Sequence, residues 1–438
     1  ADVMGADTDM LSGSIRRFAE QFAFADTYGS LMTVTAPADI DTAFSDFMPT
    51  IGLNMRQFDM MMKIYKILSQ KYDVVCTNPP YMGGSGMNAK LSEFVKSKFP
   101  DSKSDLFACF IEKCGQLAKP HGFYAMITQH AFMFLSSYEN LRRKLMLKTT
   151  VNMAHLGARA FDEIGGEVVQ TTAFVMTGHI KDYKGTYARL VDTVGENEKR
   201  DLFLSGDKRF AAKQENFSKI PGMPVAYWVS ENFIRAFERG ISIDSISDFT
   251  GSQHITANND KYLRLHWEID ANKVGMGKKW VYYAKGGDFR KWYGNIELVV
   301  DWSEGAVQYY KTNSTSNLLA EKYRFKEGIT YTELTSSVNT FRYLPPVCIF
   351  DKKGPSIVSV KKLWYCLGIF GTKIAPLYFA ILNPTLSTQV RDVKNLPIIV
   401  NGEIEPKIDE IVKENVEICK QDWNDFETSW GFEKHPLI

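Results

Sequence analysis

Only six cysteines occur in 438 residues, and none stands at a metal-ligand interval from another or from one of the seven histidines. Cys109 and Cys114 are too widely spaced for a Cys-x-x-Cys site, and His121 and His130 lack acidic or sulfur neighbours at ligand intervals. No metal site and no disulfide framework are expected, and unpaired thiols suit a reducing cytoplasm. No run is long and apolar enough to cross a bilayer, and the amino terminus lacks the basic-then-apolar pattern of an export signal. Net charge is also missing: 52 basic against 51 acidic side chains leave +1, so no global basicity points to nucleic acid. Internal repeats and low-complexity tracts are absent.

What remains is a globular composition, 45% hydrophobic and 24% charged, enough for two or three cores. The fold class expected is α/β: part of a doubly wound, Rossmann-like sheet, then a mixed, β-rich domain. Helix and strand patterns alternate up to about Val191. Met60, Met61, Ile64, Tyr65 and Leu68 recur at helical spacing, as do Phe107, Phe110, Ile111 and Leu117 behind Ser104, a candidate cap. Both helices are expected to cover the sheet. Beyond Pro224 the pattern changes to short runs such as Trp280-Val281-Tyr282-Tyr283, Val347-Cys348-Ile349-Phe350 and Ile357-Val358-Ser359-Val360. The expected divisions are 1–193 for the α/β part, 194–222 as a connection, 223–402 for the β-rich domain and 403–438 for a helical segment.

The feature that decides the reading is Asn78-Pro79-Pro80-Tyr81, directly behind the apolar run Tyr72-Asp73-Val74-Val75-Cys76-Thr77. A buried strand ending this way places a stiff polar turn at the carboxyl edge of a sheet, where open α/β folds hold ligands. Proline fixes φ and restricts its predecessor, so the Asn78 side-chain oxygen and the Pro79 carbonyl are held as two preset acceptors. Such a pair suits the two N–H groups of an aromatic amine, whose lone pair is otherwise delocalised into the ring. Tyr81 offers a flat face on which a base swung out of a duplex can stack. The plain alternative is a strand-ending turn.

The tetrapeptide resembles the catalytic motif of S-adenosylmethionine-dependent amino-methyltransferases, chiefly adenine-N6 DNA methyltransferases. Enzymes acting on RNA or on a protein glutamine carry the same type, so the motif fixes the reaction better than the substrate. Gly122 to Thr128, Phe132 to Leu135 and Leu141 to Leu145 resemble the next strand and helix of that catalytic domain. Phe161, ahead of Val168 to Met176, stands where related enzymes carry a second base-packing ring; an ordinary core phenylalanine is the competing reading. Further on, Gly286 to Asn295, Val299-Val300-Asp301-Trp302, Thr330 to Leu334, Asn383-Pro384-Thr385 and Asp422 to Trp430 resemble the target-recognition region of the BREX phage-defence methyltransferases, the PglX family. The resemblance implies catalytic roles for Asn78, Pro79, Pro80 and Tyr81, base stacking by Tyr81 and Phe161, S-adenosylmethionine as cofactor, and double-stranded DNA with a flipped adenine as partner, with other defence proteins beside it.

Between Lys261 and Lys291, eight lysines and arginines stand against three acids with aromatics interleaved. With the resemblance, this makes Lys278, Lys279, Lys285, Arg290, Lys291 and Trp292 candidate DNA contacts; a solvated surface is the alternative. One departure from the family pattern is plain. The aromatic-x-Gly-x-Gly turn and ribose-binding acid that such enzymes place ahead of the catalytic strand are not found; Gly83-Gly84-Ser85-Gly86 follows that strand and reads as a mobile loop, and Gly275-Met276-Gly277-Lys278 reads as a lysine-bearing turn. The expectation is a fragment whose donor-binding half lies elsewhere, inactive by itself. A DNA-recognition or assembly module of a defence complex without methyl transfer is the competing class.

Overall fold

The computed structural model describes residues 13–40, 55–161, 169–249, 253–334, 338–383 and 388–438. Two compact units divide the chain, Ala1–Ser218 with Gly222–Trp228 and Lys219–Pro221 with Val229–Ile438. These limits differ from those expected at 193, 222 and 402. The span 194–222 is not a bare connection, because Arg209–Lys213 adds a strand to the sheet of the first unit. The Glu405–Asn424 helix packs Val412, Val416 and Trp423 into a core of the second.

The first unit is built on six strands: β1 (Tyr72–Thr77), β2 (Ala118–Gln129), β3 (Thr149–Gly157), β4 (Thr171–Thr177), β5 (Lys184–Arg189) and β6 (Arg209–Lys213). Their order is β1-β2-β4-β3-β5-β6. β1 pairs parallel with β2 and β3 with β5, while β4 runs antiparallel between β2 and β3. β1, β2, β3 and β5 therefore end on the same edge. Strand period places alternate residues on opposite faces. Tyr124, Met126, Met153, Phe174, Met176 and Tyr187 are buried on one face, under Phe107, Ile111, Leu141 and Leu145 from the helices Leu106–Leu117 and Glu139–Leu145. Each fully buried aliphatic or aromatic side chain contributes about 1.5–3 kcal/mol of transfer free energy.

The opposite face is only partly covered by the described residues. Ala125, Ile127, Ala154, Ala173 and Val175 are half-buried and line a groove of about 550 Å³. Among the described residues β1, expected to be buried, is an edge strand that pairs only with β2, and Val74 is 64% exposed. Its apolar run is what a strand covered on both sides carries; the described residues supply only part of that cover. The expected Ser104 cap is also displaced by one residue, since the Asp105 side chain accepts from Phe107 N. Helix Leu106–Leu117 covers the sheet as expected. The helix Met55–Ser69 instead sets Met61 against Ile15 and Phe18 of the helix Gly13–Glu20.

The second unit contains two four-stranded sheets. Trp280–Ala284, Cys348–Phe350 and Ser356–Val358 form strands close to the predicted runs. Helices Leu363–Gly371 and Ala375–Leu382 are apolar because Cys366, Leu367 and Ile381 lie in a core. Among the described residues no single helix is long and apolar enough to cross a membrane.

Candidate active site

Thr77 at the end of β1 faces Met126 of β2, so Asn78 leaves the sheet at the carboxyl edge, level with Ile127. Asn78 is exposed and lines the groove, and Pro79 is buried. Among the described residues the Asn78 amide has no hydrogen-bonding partner. Its acceptor is therefore open, while the prolines stiffen the backbone that carries it. Pro80 is exposed.

Tyr81 is half-buried and anchored at both ends. Its hydroxyl donates to the Ile127 carbonyl at 3.4 Å, and its ring meets Phe107 edge to face, centroids 6.1 Å apart. Burial, with the negative charge of Asp105 nearby, pushes the phenol pKa up, so Tyr81 stays neutral. The segment behind it is also tied down. Met82 N donates to Asp105 Oδ1 at 3.0 Å, Leu106 N to the Met82 carbonyl at 3.1 Å and Gly84 N to the Ser104 carbonyl at 3.1 Å. The glycine-rich stretch predicted as a mobile loop is thus a short 3-10 turn, Gly84–Gly86, pinned to the start of the helix Leu106–Leu117. Burial raises the Asp105 pKa, and the N–H groups of Phe107, Met82 and Leu106 oppose the rise by stabilising its charge.

Phe161 is half-buried and follows the end of β3. Tyr81 and Phe161 thus succeed β1 and β3 on one edge, with β2 and β4 between them in the sheet. In that interval lies His130, a half-buried residue directly after β2 whose Nδ1 is 2.8 Å from His155 Nε2. Sequence reasoning found no ligand partner for His130 and passed over Asp105 and His155, because partners 23 to 25 residues away leave no local signal.

S-adenosylmethionine, the cofactor implied by the resemblance, can be tested against the groove beside Asn78. Its floor is small and apolar, but its lining contains neither an acidic residue nor a glycine. The groups that would grip a ribose and an amino-acid end are not there, so these residues do not by themselves make a donor site.

The candidate DNA contacts fall into two sets in the second unit. Lys278 and Lys279 are exposed on the Gly275 turn, closed by Gly275 N donating to the Trp280 carbonyl at 2.8 Å. Lys285 is half-buried beside a separate pocket of about 400 Å³. The other three are engaged within the unit. Arg290 lies over the Trp423 ring at 4.6 Å and donates to Asp422 Oδ2 at 3.2 Å, Lys291 Nζ donates to the Gly371 carbonyl at 3.2 Å, and Trp292 packs against the core. Among the described residues no group of histidine, cysteine and acids is arranged to hold a metal ion.

Residues 28–158 match the Eco57I restriction-modification methylase family. The adenine-specific methyltransferase PglX of Lacticaseibacillus casei (strain Zhang) is 34% identical across 98% of this chain and 38% of its own length. The adenine-specific methyltransferase BrxX of Escherichia coli O9:H4 (strain HS) is 37% identical across 95% of this chain and 36% of its own length. The chain therefore spans well under half the length of these relatives. Among solved structures, the Type IIL restriction-modification enzyme MmeI in complex with DNA has a TM-score of 0.53 at 12% identity, covering 80% of this chain and 49% of that one, a likeness of fold. Carried by sequence identity along nearly its whole length, the chain belongs to the family of the adenine-specific methyltransferases PglX and BrxX.

Proposed function

We propose that this chain carries the base-binding and target-recognition parts of an S-adenosylmethionine-dependent DNA adenine-N6 methyltransferase that marks DNA in a cytoplasmic phage-defence system. The observation that carries the reading is the open acceptor at the carboxyl edge of β1: Asn78 exposed and unpartnered among the described residues, held by a buried Pro79. Asn78 Oδ1 and the Pro79 carbonyl accept the two N–H groups of the target amine and localise its lone pair. Because both acceptors are set before the base arrives, no reorganisation is needed at the moment of reaction. The adenine reaches them only when swung out of the duplex. Tyr81, neutral and fixed through Ile127, stacks on one face of the base, and Phe161 closes the other.

When bound, S-adenosylmethionine supplies the methyl group; most of its site lies outside these residues. Lys278, Lys279 and Lys285 contact DNA phosphates, and other defence proteins act beside the enzyme. In the full-length enzyme, Asn78→Ala should lower methylation about a hundredfold or more while DNA binding is retained. Methylation that survives the change would remove the amide from its role. Calorimetric titration of this chain with S-adenosylmethionine should give only weak binding.

A further inference from the structure

A tyrosine and two histidines form a hydrogen-bonded chain at the carboxyl edge of the sheet. His130 Nδ1 lies 2.8 Å from His155 Nε2, and His155 Nδ1 lies 3.0 Å from the Tyr227 hydroxyl. His155 and Tyr227 are each 3% exposed, whereas His130 is only half-buried and forms the outer end. A neutral imidazole has one donor and one acceptor nitrogen, so the chain has two possible directions.

The buried phenol of Tyr227 selects between them, since its proton needs an acceptor. Among the described residues the recorded acceptor for the phenol proton is His155 Nδ1. His155 then carries its proton on Nε2 and donates to His130 Nδ1, which leaves His130 protonated on Nε2, the nitrogen at the open end. The reverse direction would strand the Tyr227 proton in a buried site without an acceptor, a costly arrangement. Burial keeps both rings uncharged, with the His130 pKa pushed down to about 4 and that of His155 well below its ordinary value.

We propose that His130 reads the extruded base, its Nε2–H donating to a ring nitrogen of the adenine whose amine is held by Asn78 and Pro79. This rests on the base-binding reading above. A ring held between Tyr81, after β1, and Phe161, after β3, lies above the ends of β2 and β4, and His130 is the residue that follows β2. It stands three positions beyond Ile127, whose carbonyl anchors Tyr81, a separation of at most about 10 Å along extended chain. An uncharged donor suits a ring nitrogen better than a phosphate, which favours a cation. N3 and N7 accept in both purines, whereas N1 accepts in adenine and carries an N–H in guanine, so a contact to N1 also selects between them. His155 and Tyr227 are positioning residues that set the proton on His130.

The test uses the full-length enzyme and a duplex bearing its own site, located by sequencing modified adenine, with adenine, 1-deaza-, 3-deaza- or 7-deazaadenine at the target. One analogue should react about tenfold more slowly under single-turnover conditions; His130→Phe should cost about tenfold with adenine and nothing further with that analogue, since both changes remove the same bond. His130→Gln, which keeps an N–H donor, should restore part of the rate. Nitrogen NMR of this folded chain should show His130 protonated on Nε2, and a mixture of tautomers in Tyr227→Phe. Additive losses with all three analogues, coupling of His130 to a methylphosphonate linkage instead, or a proton on Nδ1 of His130 would each overturn the proposal. Failure of the underlying reading shows separately, as full activity in Asn78→Ala.

Discussion

Asp105 Oδ1 accepts the backbone N–H of Met82 at 3.0 Å and that of Phe107 at 3.2 Å. One carboxylate thereby joins the residue behind Tyr81 to the first turn of the helix that covers the sheet, so the geometry of the candidate clamp and the stability of that helix share a support. A capping acid that is also half of a loop anchor links local structure to the site.

Asp105→Ala should lower stability by about 1–2 kcal/mol, the range for a lost helix cap, and Asp105→Asn by less because one acceptor oxygen remains. Urea unfolding of the two variants beside the parent checks the order. Equal losses would mean that the second oxygen, rather than Oδ1, carries the tie.

His254 should make the second unit sensitive to acid. Its ring is fully buried among Tyr283, Trp302 and Tyr310, and neither nitrogen has a hydrogen-bonding partner among the described residues. Burial, with the charge of Arg324 nearby, pushes its pKa from 6.5 to about 3. The folded value lies below the unfolded one, so as pH falls the unfolded chain takes up the proton first. The stability this group contributes is complete above 6.5 and declines toward about 3, at ~1.4 kcal/mol per pH unit. His130 and His155 act with the same sign in the first unit. Melting curves should fall in temperature from about pH 7 to pH 5, and His254→Phe should flatten the part due to the second unit.

Arg290 and the two exposed lysines should separate into different phenotypes. Arg290→Ala removes the cation over Trp423 and the bond to Asp422, and should cost stability by ~1 kcal/mol. Lys278→Ala and Lys279→Ala touch exposed side chains, with only a 5.6 Å approach of Lys279 to the Trp280 ring, and should change melting little while reducing the log–log salt slope of DNA binding by about one each. An unchanged slope in the double variant would take the Gly275 turn out of the DNA contact.

Gly371→Ala should be destabilising although alanine is the better helix former. A Cβ at this position would lie 2.3 Å from Trp292 Cη2. Trp292 holds a φ of 69°, a left-handed conformation that leaves a bulky side chain little freedom to retreat. The loss should be about 1–3 kcal/mol by thermal or urea unfolding; a gain in stability would show that the indole can move aside.

The strand Tyr72–Thr77, the helix Leu106–Leu117 and the β-rich character beyond Pro224 were legible because each is written in local periodicity and in what proline, glycine and branched residues do to the backbone. The tetrapeptide was legible for the same reason, since proline acts on its immediate neighbours. What the chain does with these elements was not. That β1 is an edge strand among the described residues, that Asp105 rather than Ser104 caps the helix and grips Met82, that Trp292 is spent on Gly371, and that His130 meets His155 and Tyr227 all depend on groups brought together from distant positions. Short-range sterics fix the elements from sequence alone, whereas the pairing of polar groups and the covering of faces are settled only when separate segments compete for the same space.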